Sequence, residues 1–292
     1  MREQQRKKEY QKMVNDYYDL VTRGYRGVWG SDFFHPHLWP DEKNKAEALD
    51  YTHEYIFNKL NAPSSAEVAD YGCGIGAFSI LLSQKFKNVT AINFNKKQLA
   101  IAKNNIKQKK ITNIKLTEAD IMQTSFENEF DFVFLYDVAP HLPNKEKALQ
   151  LIWKALKPGG KLIMTEWLIP KNISTAAKIL LVEPFNRTWA FPFLETDGNY
   201  MKYFKKNNYK LILKEDWTNK VGKSITEGYN NYLKAVNSFG VKEMAEVLDL
   251  SMMKHAVHIK EKAKEASEMV LYSKAVYDSN NLLYFFYIAE KI

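Results

Sequence analysis

A single cysteine in 292 residues, Cys73, excludes an intramolecular disulfide. A chain of this length buries enough apolar surface to fold without a staple or a structural metal. The lone thiol fits a reducing, cytoplasmic setting. Long apolar runs are missing too: none approaches the roughly 18 residues that a membrane span requires. The first eight residues include Arg2, Glu3, Arg6, Lys7 and Lys8, so no apolar leader is expected. Internal repeats and low-complexity tracts are absent. No H-x-x-x-H ligand pair stands on a helical segment, so no metal is expected.

What the chain has is positive charge and aromatic mass. Its formal net charge is +8. The lysines are dispersed, and the densest internal cluster, Lys107-Gln108-Lys109-Lys110, falls at an expected helix end, where cations complement the dipole. Dispersal favours a solvated surface over a nucleic-acid or anionic-membrane footprint. The expected partner is therefore a small molecule, with no nucleic acid; a homo-oligomer is compatible with the sequence.

Periodicity divides the chain. Residues 1–30 carry Tyr10, Met13, Val14, Tyr17, Tyr18 and Val21 near helical spacing, and 43–60 resume a helical pattern. Strands and helices then alternate: strands at 66–71, 89–93, 114–118, 130–136 and 161–167, helices at 77–87, 96–108 and 145–156. Such alternation implies a parallel, doubly wound α/β sheet. Lys157-Pro158-Gly159-Gly160 is read as the stop of the 145–156 helix. Regularity lapses from 170 to about 196. A helix at 199–207 and a strand at 209–217 follow, then a long helical insertion over 223–275 and a last buried strand at 282–289. The division expected is 1–60 as a helical, aromatic lid, 61–169 as the α/β core, 170–275 as cap insertions with the sixth strand, and 276–292 as the last core strand. A cap over the carboxyl edge of the sheet is the economical arrangement, because open α/β sheets bind ligands there.

The most informative stretch is Asp70-Tyr71-Gly72-Cys73-Gly74-Ile75-Gly76, where an acid ends an apolar strand and glycines follow at alternate positions. Without Cβ atoms the chain turns tightly and presents bare backbone to a ligand. The spacing differs from the G-x-G-x-x-G dinucleotide fingerprint. Glu118-Ala119-Asp120-Ile121 follows the third strand; Asp137-Val138-Ala139-Pro140-His141-Leu142-Pro143 follows the fourth; Leu156-Lys157-Pro158-Gly159-Gly160 precedes the fifth. In this order the four pieces resemble the class I S-adenosylmethionine-dependent methyltransferases over about 66–167. That resemblance implies a seven-stranded Rossmann-like sheet and S-adenosyl-L-methionine as cofactor. Asp70, Gly72, Cys73, Gly74 and Gly76 would pack against its methionine part, Asp120 would take the adenine amine, and Ile121 would pack on the ring. Phe94, Gln98 and Tyr136 join them as cofactor-side candidates. One position departs from the pattern. Where relatives have an acid for the ribose hydroxyls, this chain has Asn93, an amide without charge-assisted strength. Some sterol-methylating and cyclopropane-forming relatives share that lack.

The segment from Tyr17 to His35 resembles the pre-core segment of sterol side-chain methyltransferases, and more loosely those of prenyl-diphosphate C-methyltransferases and small-molecule N-methyltransferases. By that resemblance Tyr17 and Tyr18 close over the cofactor, while Tyr25, Trp29 and Phe33 line the acceptor pocket; Trp189 and Phe193, in the cap beyond the resemblance, are further pocket candidates. Asp137, His141, Glu166 and His35 are the catalytic candidates. Each has a structural alternative: Tyr17 and Tyr18 as core packing, His35 as a turn histidine beside Pro36, Glu166 as a loop cap. A sulfonium methyl is already activated, so such an enzyme mainly aligns a nucleophile and excludes water. The N/D-P-P-Y/F tetrapeptide of many base-modifying enzymes is absent after the fourth strand. The expected activity is C-methylation of a lipid-like or isoprenoid acceptor. N-methylation of a small amine, or in another class a nucleic-acid-modifying or nucleic-acid-binding protein, are the alternatives.

Overall fold

The computed structural model describes residues 3–29, 32–33, 35–40, 44–238 and 256–292, without the side chains of 23–29, 235–238, 256–263 and 265–266. Seven strands form one sheet: β1 (Glu67–Tyr71), β2 (Asn88–Asn93), β3 (Ile114–Glu118), β4 (Phe130–Tyr136), β5 (Leu156–Leu168), β6 (Tyr209–Asp216) and β7 (Leu283–Lys291). Their order is β3-β2-β1-β4-β5-β7-β6. The first five pair in parallel, as the alternation implies. β7 runs antiparallel to both β5 and β6, so the sheet is mixed rather than wholly parallel. The cause lies in the connection. The chain leaves β6 at the carboxyl edge, builds cap helices there, and re-enters at the same edge, where Trp217 N donates to Tyr284 O at 2.8 Å. A strand that starts at that edge must run back down.

The helices flank the sheet. They are α1 (Glu3–Lys8), α2 (Tyr10–Trp29), α3 (Lys45–Leu60), α4 (Ala77–Ser83), α5 (Lys96–Gln108), α6 (Lys145–Ala155), α7 (Thr175–Ala177), α8 (Glu183–Thr188), α9 (Asp197–Lys206), α10 (Thr218–Ser238) and α11 (Ala256–Asp278). Local chemistry starts several of them. Asn44 and Glu47 form a reciprocal capping box on α3, and Asn95 and Asn144 cap α5 and α6 through their side-chain oxygens. Strand alternation sends β4 residues Val133 and Leu135 into a core shared with α6 and α9. Phe132 and Phe134 go into the opposite core with Ile56, Leu60, Leu82 and Val221 of α3, α4 and α10. Burying side chains of this size stabilises by about 1.5–3 kcal/mol each, which is what clamps the helices to the sheet.

Three expectations are corrected. β5 begins at Leu156 and runs through Pro158-Gly159-Gly160 with a register shift opposite Phe130–Phe132, so those residues form a bulge rather than a helix stop. The 170–196 stretch is largely helical: α7, a π-helical turn over Lys178–Val182, and α8, which continues that run through Val182 and carries Pro184 beside the π turn. Among the described residues the 223–275 insertion holds parts of two helices, α10, which starts earlier at Thr218, and α11; residues 239–255 lie outside the described residues. Among the described residues no helix is long and apolar enough to cross a membrane, and no cluster of metal-ligating side chains occurs.

Candidate active site

The carboxyl ends of β1, β2 and β4 open into a cleft of about 1000 Å³, counted to its mouth. Asp70, Gly72, Cys73 and Gly74 form its floor. The Gly72 and Cys73 amides are pinned to Ile92 O at 2.8 and 2.9 Å, which joins the loop to β2. A Cβ on Gly72 would lie 2.4 Å from Val138, so the loop packs directly on the segment after β4. Gly74 differs: at φ +53 an added Cβ would meet only Gln98, at 4.0 Å, and would stand at the cleft. Asp70 accepts from Ser79 Oγ at 2.5 Å, and burial pushes its carboxyl up to about 6.

The β2 end carries an amide relay. Asn93 Nδ2 donates to Gln98 Oε1 at 2.8 Å, and Gln98 Nε2 donates to Thr22 Oγ1 on α2 at 3.2 Å. Asn95 Nδ2 reaches Asn15 Oδ1 and Asp19 Oδ1 on the same helix, both at 3.0 Å. Asp120 accepts from Met122 N, from the Tyr10 hydroxyl and from Gln11 Nε2. Helix α2 therefore lies over the cleft and is tied to two of its walls.

A second cavity, about 870 Å³ counted in the same way, lies on the cap side. Trp167, Phe185, Trp189, Phe191, Ile225, Tyr229, Met269 and Leu282 supply most of its wall. Among the described residues no lysine or arginine lines it. Tyr18, Asp137 and His141 line both cavities and form the partition between them.

The chemistry gathers at that partition. Asp137 sits at φ +55, a backbone region that costs a residue with a side chain on the order of 1 kcal/mol. Its Oδ1 accepts from the Tyr284 hydroxyl at 2.8 Å and from Thr165 Oγ1 at 3.2 Å, while its buried Oδ2 has no partner. Burial outweighs those two hydrogen bonds and raises the carboxyl to about 7. His141 Nδ1 faces Ala190 O at 3.2 Å and its Nε2 faces the Tyr18 hydroxyl at 2.8 Å. A carbonyl only accepts, so the ring carries its proton on Nδ1 and takes the tyrosine hydroxyl on Nε2. Burial lowers its pKa to about 4, which leaves it neutral.

The structure brings Tyr18, Asp70, Gly72, Cys73, Gly74, Asn93, Phe94, Gln98, Asp120, Ile121, Tyr136, Asp137, His141 and His35 around the first cleft, and Trp189 around the second. Other expected site residues stand elsewhere. Tyr17 points about a quarter turn away from Tyr18; it packs with Val21, Ala190 and Met269 and lines neither cavity. Gly76 serves packing, since a Cβ there would lie 3.1 Å from Ala102 of α5. Glu166 is on the wrong face of β5: Thr165 and Trp167 point to the site, and alternation turns Glu166 to Tyr200 of α9. Burial raises Glu166 to about 8. His35 lines the first cleft, but its nitrogens face Pro36 O at 3.0 Å and His53 Nε2 at 3.3 Å. Its ring stacks on Tyr136 at 4.1 Å, and burial takes it down to about 4, so it is a neutral wall rather than a free base. Phe33 borders the first cleft instead of the second, and Phe193 lines neither, lying between Lys7 and Lys145 at 3.7 and 4.1 Å. The side chains of Tyr25 and Trp29 lie outside the described residues.

Sequence reasoning missed Tyr10 and Val14, although with Tyr18 they fall at i, i+4 and i+8 on one helical face. It also missed Tyr284, whose place in an apolar final strand gave no sign that its hydroxyl holds Asp137.

Comparison with known proteins agrees with this geometry. Residues 69–164 match the family described as methyltransferase domain. Cycloartenol-C-24-methyltransferase 1 of Oryza sativa subsp. japonica is 30% identical over 174 residues, covering 58% of this chain and 49% of that protein. The chain spans about half the length of the curated sterol methyltransferases it matches. The cyclopropane synthase MmaA2 of Mycobacterium tuberculosis superposes with a TM-score of 0.80 at 14% identity, covering 96% of this chain and 98% of that one. Phosphoethanolamine N-methyltransferase 2 of Haemonchus contortus, solved with S-adenosyl-L-methionine, gives 0.70 at 19% identity, covering 95% and 60%. The ordered motifs, the sheet order and the domain matched over residues 69–164 together make this chain similar in sequence and fold to the class I methyltransferases.

Proposed function

We propose that this protein transfers the methyl group of S-adenosylmethionine to a carbon of a lipid-like or isoprenoid acceptor held in the second cavity. The observation that carries the reading is the shared partition. Tyr18, Asp137 and His141 stand between a glycine- and amide-lined cleft and an aromatic cavity, and one Asp137 oxygen is unpartnered. The first cleft fits the cofactor: Gly74 leaves room that a side chain would fill, and Asn93, Asp120 and Ile121 stand where a ribose and an adenine would need amide, acid and apolar partners. The cofactor supplies an activated sulfonium methyl. The residues do the rest. The aromatic wall excludes water and presents ring faces that favour a cationic centre. Asp137 stabilises positive charge beside it and, once ionised, takes a proton through Oδ2. His141 holds the Tyr18 hydroxyl in the partition, which occupies its own basic nitrogen.

The same aromatic wall and carboxylate suit an ammonium group, so N-methylation of a small amine is the second reading. We further propose that residues 1–60 act as the lid, that 170–275 form the acceptor cap, and that the protein works in the cytoplasm on a small molecule rather than on nucleic acid. The test of the cofactor is isothermal titration with S-adenosylhomocysteine, for which saturable binding is expected; failure at high micromolar concentration would sink the reading. Incubation with methyl-labelled cofactor and extracted lipids or amines then identifies the acceptor. A product labelled on carbon supports the first reading, and one labelled on nitrogen replaces it with the second.

A further inference from the structure

We propose that Lys145 is a positioning residue: its ammonium gathers the backbone on both sides of His141 and so fixes the partition between the cavities. The inference rests on reading those cavities as the cofactor and acceptor sites. Lys145 opens α6 and is only 2% exposed. A buried ammonium is costly unless its three donors are used. Here they are. Nζ donates to Pro140 O at 3.3 Å, Leu142 O at 3.1 Å and Phe193 O at 3.2 Å.

The choice of acceptors is informative. Pro140 and Leu142 are the chain neighbours of His141. The Phe193 carbonyl belongs to the segment that supplies Ala190 O to His141 Nδ1 and the Phe191 ring to its face, with centroids 4.9 Å apart. One cation thus joins both segments that hold the imidazole. The Phe193 ring lies 4.1 Å from Nζ and adds a cation–π attraction; Lys7 of α1 lies 3.7 Å from the same ring. The charged groups that act on the ammonium are Glu166 of β5, Glu195 before α9, and Lys7 and Glu3 of α1. Burial outweighs the carboxylates and brings Lys145 down to about 8, within reach of titration.

The test reads His141 directly on the full chain. Long-range nitrogen–proton spectra of the wild type are expected to show one neutral tautomer with the proton on Nδ1. Raising the pH through about 8 removes one donor from Lys145, and the His141 signals are expected to shift with that midpoint while the far-ultraviolet circular dichroism stays constant. Lys145→Met is expected to lose the single Nδ1–H signal and populate both tautomers, with S-adenosylhomocysteine affinity kept within about twofold. Glu166 is also raised to about 8, so if the variant does not fold the titration is repeated in Glu166→Gln; a His141 shift that persists supports the clamp, and one that vanishes overturns it. His141 signals that stay fixed from about pH 6 to about pH 10, or that keep the wild-type pattern in folded Lys145→Met, overturn the proposal. The nitrogen spectra need no cofactor. Absence of S-adenosylhomocysteine binding by the wild type would therefore overturn the cofactor reading and leave the His141 result to be judged separately.

Discussion

The two cavities are built by opposite means. The first is the more polar of the two, floored by backbone, and drawn mainly from successive loops between 70 and 142 together with one face of α2. The second is aromatic, walled by side chains, and drawn from Pro36, Trp167, the 185–191 segment, α10, α11 and Leu282. The first has a shape set by glycines at positive φ, where a side chain is strained and would meet Val138 or enter the cleft. The second has a shape set by side-chain volumes that could be exchanged without disturbing the sheet. A cofactor site shared by many enzymes and an acceptor site particular to one would differ in this way, because only backbone geometry is hard to vary independently of the fold.

The sharpest way to break that comparison is Gly74→Val. Its φ of +53 is unfavourable for a β-branched residue, and the new side chain would stand in the first cleft. Affinity for S-adenosylhomocysteine, measured by calorimetry, is expected to fall by at least about 100-fold. Binding of an apolar fluorescent probe to the second cavity is expected to persist. Loss of both would mean that the cavities are one structural unit.

Asp137 tests the partition itself. In Asp137→Asn the affinity for S-adenosylhomocysteine is expected to stay within about twofold, while methyl transfer falls on the order of 100-fold. The pH profile gives the sign. In the proposed role the base is the ionised form, and burial has raised its pKa from 3.8 to about 7. Wild-type turnover should therefore climb as pH rises through about 7 and then level, and the variant should lack that limb. Stability runs the other way. Ionising a group whose folded pKa is raised disfavours the fold, so this penalty grows from pH 3.8 to about 7 and is constant above. Thermal unfolding should accordingly show Asp137→Asn more stable than the wild type above pH 7, with little difference below pH 4. Equal turnover, or an unchanged pH profile, would remove Asp137 from the chemistry.

How much could be read from the sequence follows the same division. The first cleft was legible because its residues fall in contiguous motifs, each ending a strand whose apolar run marks it. Its lid face was only half read: Tyr18 was named as a candidate, while Val14 and Tyr10, one and two turns earlier, were placed on the helix without a role. The second cavity was largely illegible, since its wall is assembled from residues as distant as Pro36 and Leu282. Glu166 was misplaced for a simple reason. A residue at a strand end points to the site or away from it by parity alone, and one step separates it from Thr165 and Trp167. The direction of β7 is also unwritten in its residues; it follows from where the cap helices begin and end. Tyr284, which meets Asp137 across 147 positions, is the product of that reversal.

The finest test concerns Asn93, where the resemblance to class I methyltransferases leads one to expect an acid. A carboxylate at 93 would offer the ribose hydroxyls charge-assisted bonds, which are roughly twice as strong as neutral ones. Yet Asn93 is not a free amide awaiting an upgrade. Its Nδ2 donates to Gln98, and Gln98 donates onward to Thr22, whose hydroxyl in turn donates to Tyr18 O. With aspartate at 93, Gln98 must turn its amine toward the new carboxylate and its oxygen toward Thr22. Thr22 can satisfy that oxygen only by leaving the Tyr18 carbonyl, which loosens the lid that carries the partition tyrosine. Desolvation of a residue only 7% exposed adds a further cost. The gain and the losses are each about 1 kcal/mol, so Asn93→Asp is expected to change S-adenosylhomocysteine affinity by no more than about threefold. Dissociation, followed by stopped-flow, should nonetheless become faster as the lid is released. A tenfold tightening with unchanged dissociation would show instead that the relay carries no weight and that the amide at 93 is a plain deficit in the cofactor site.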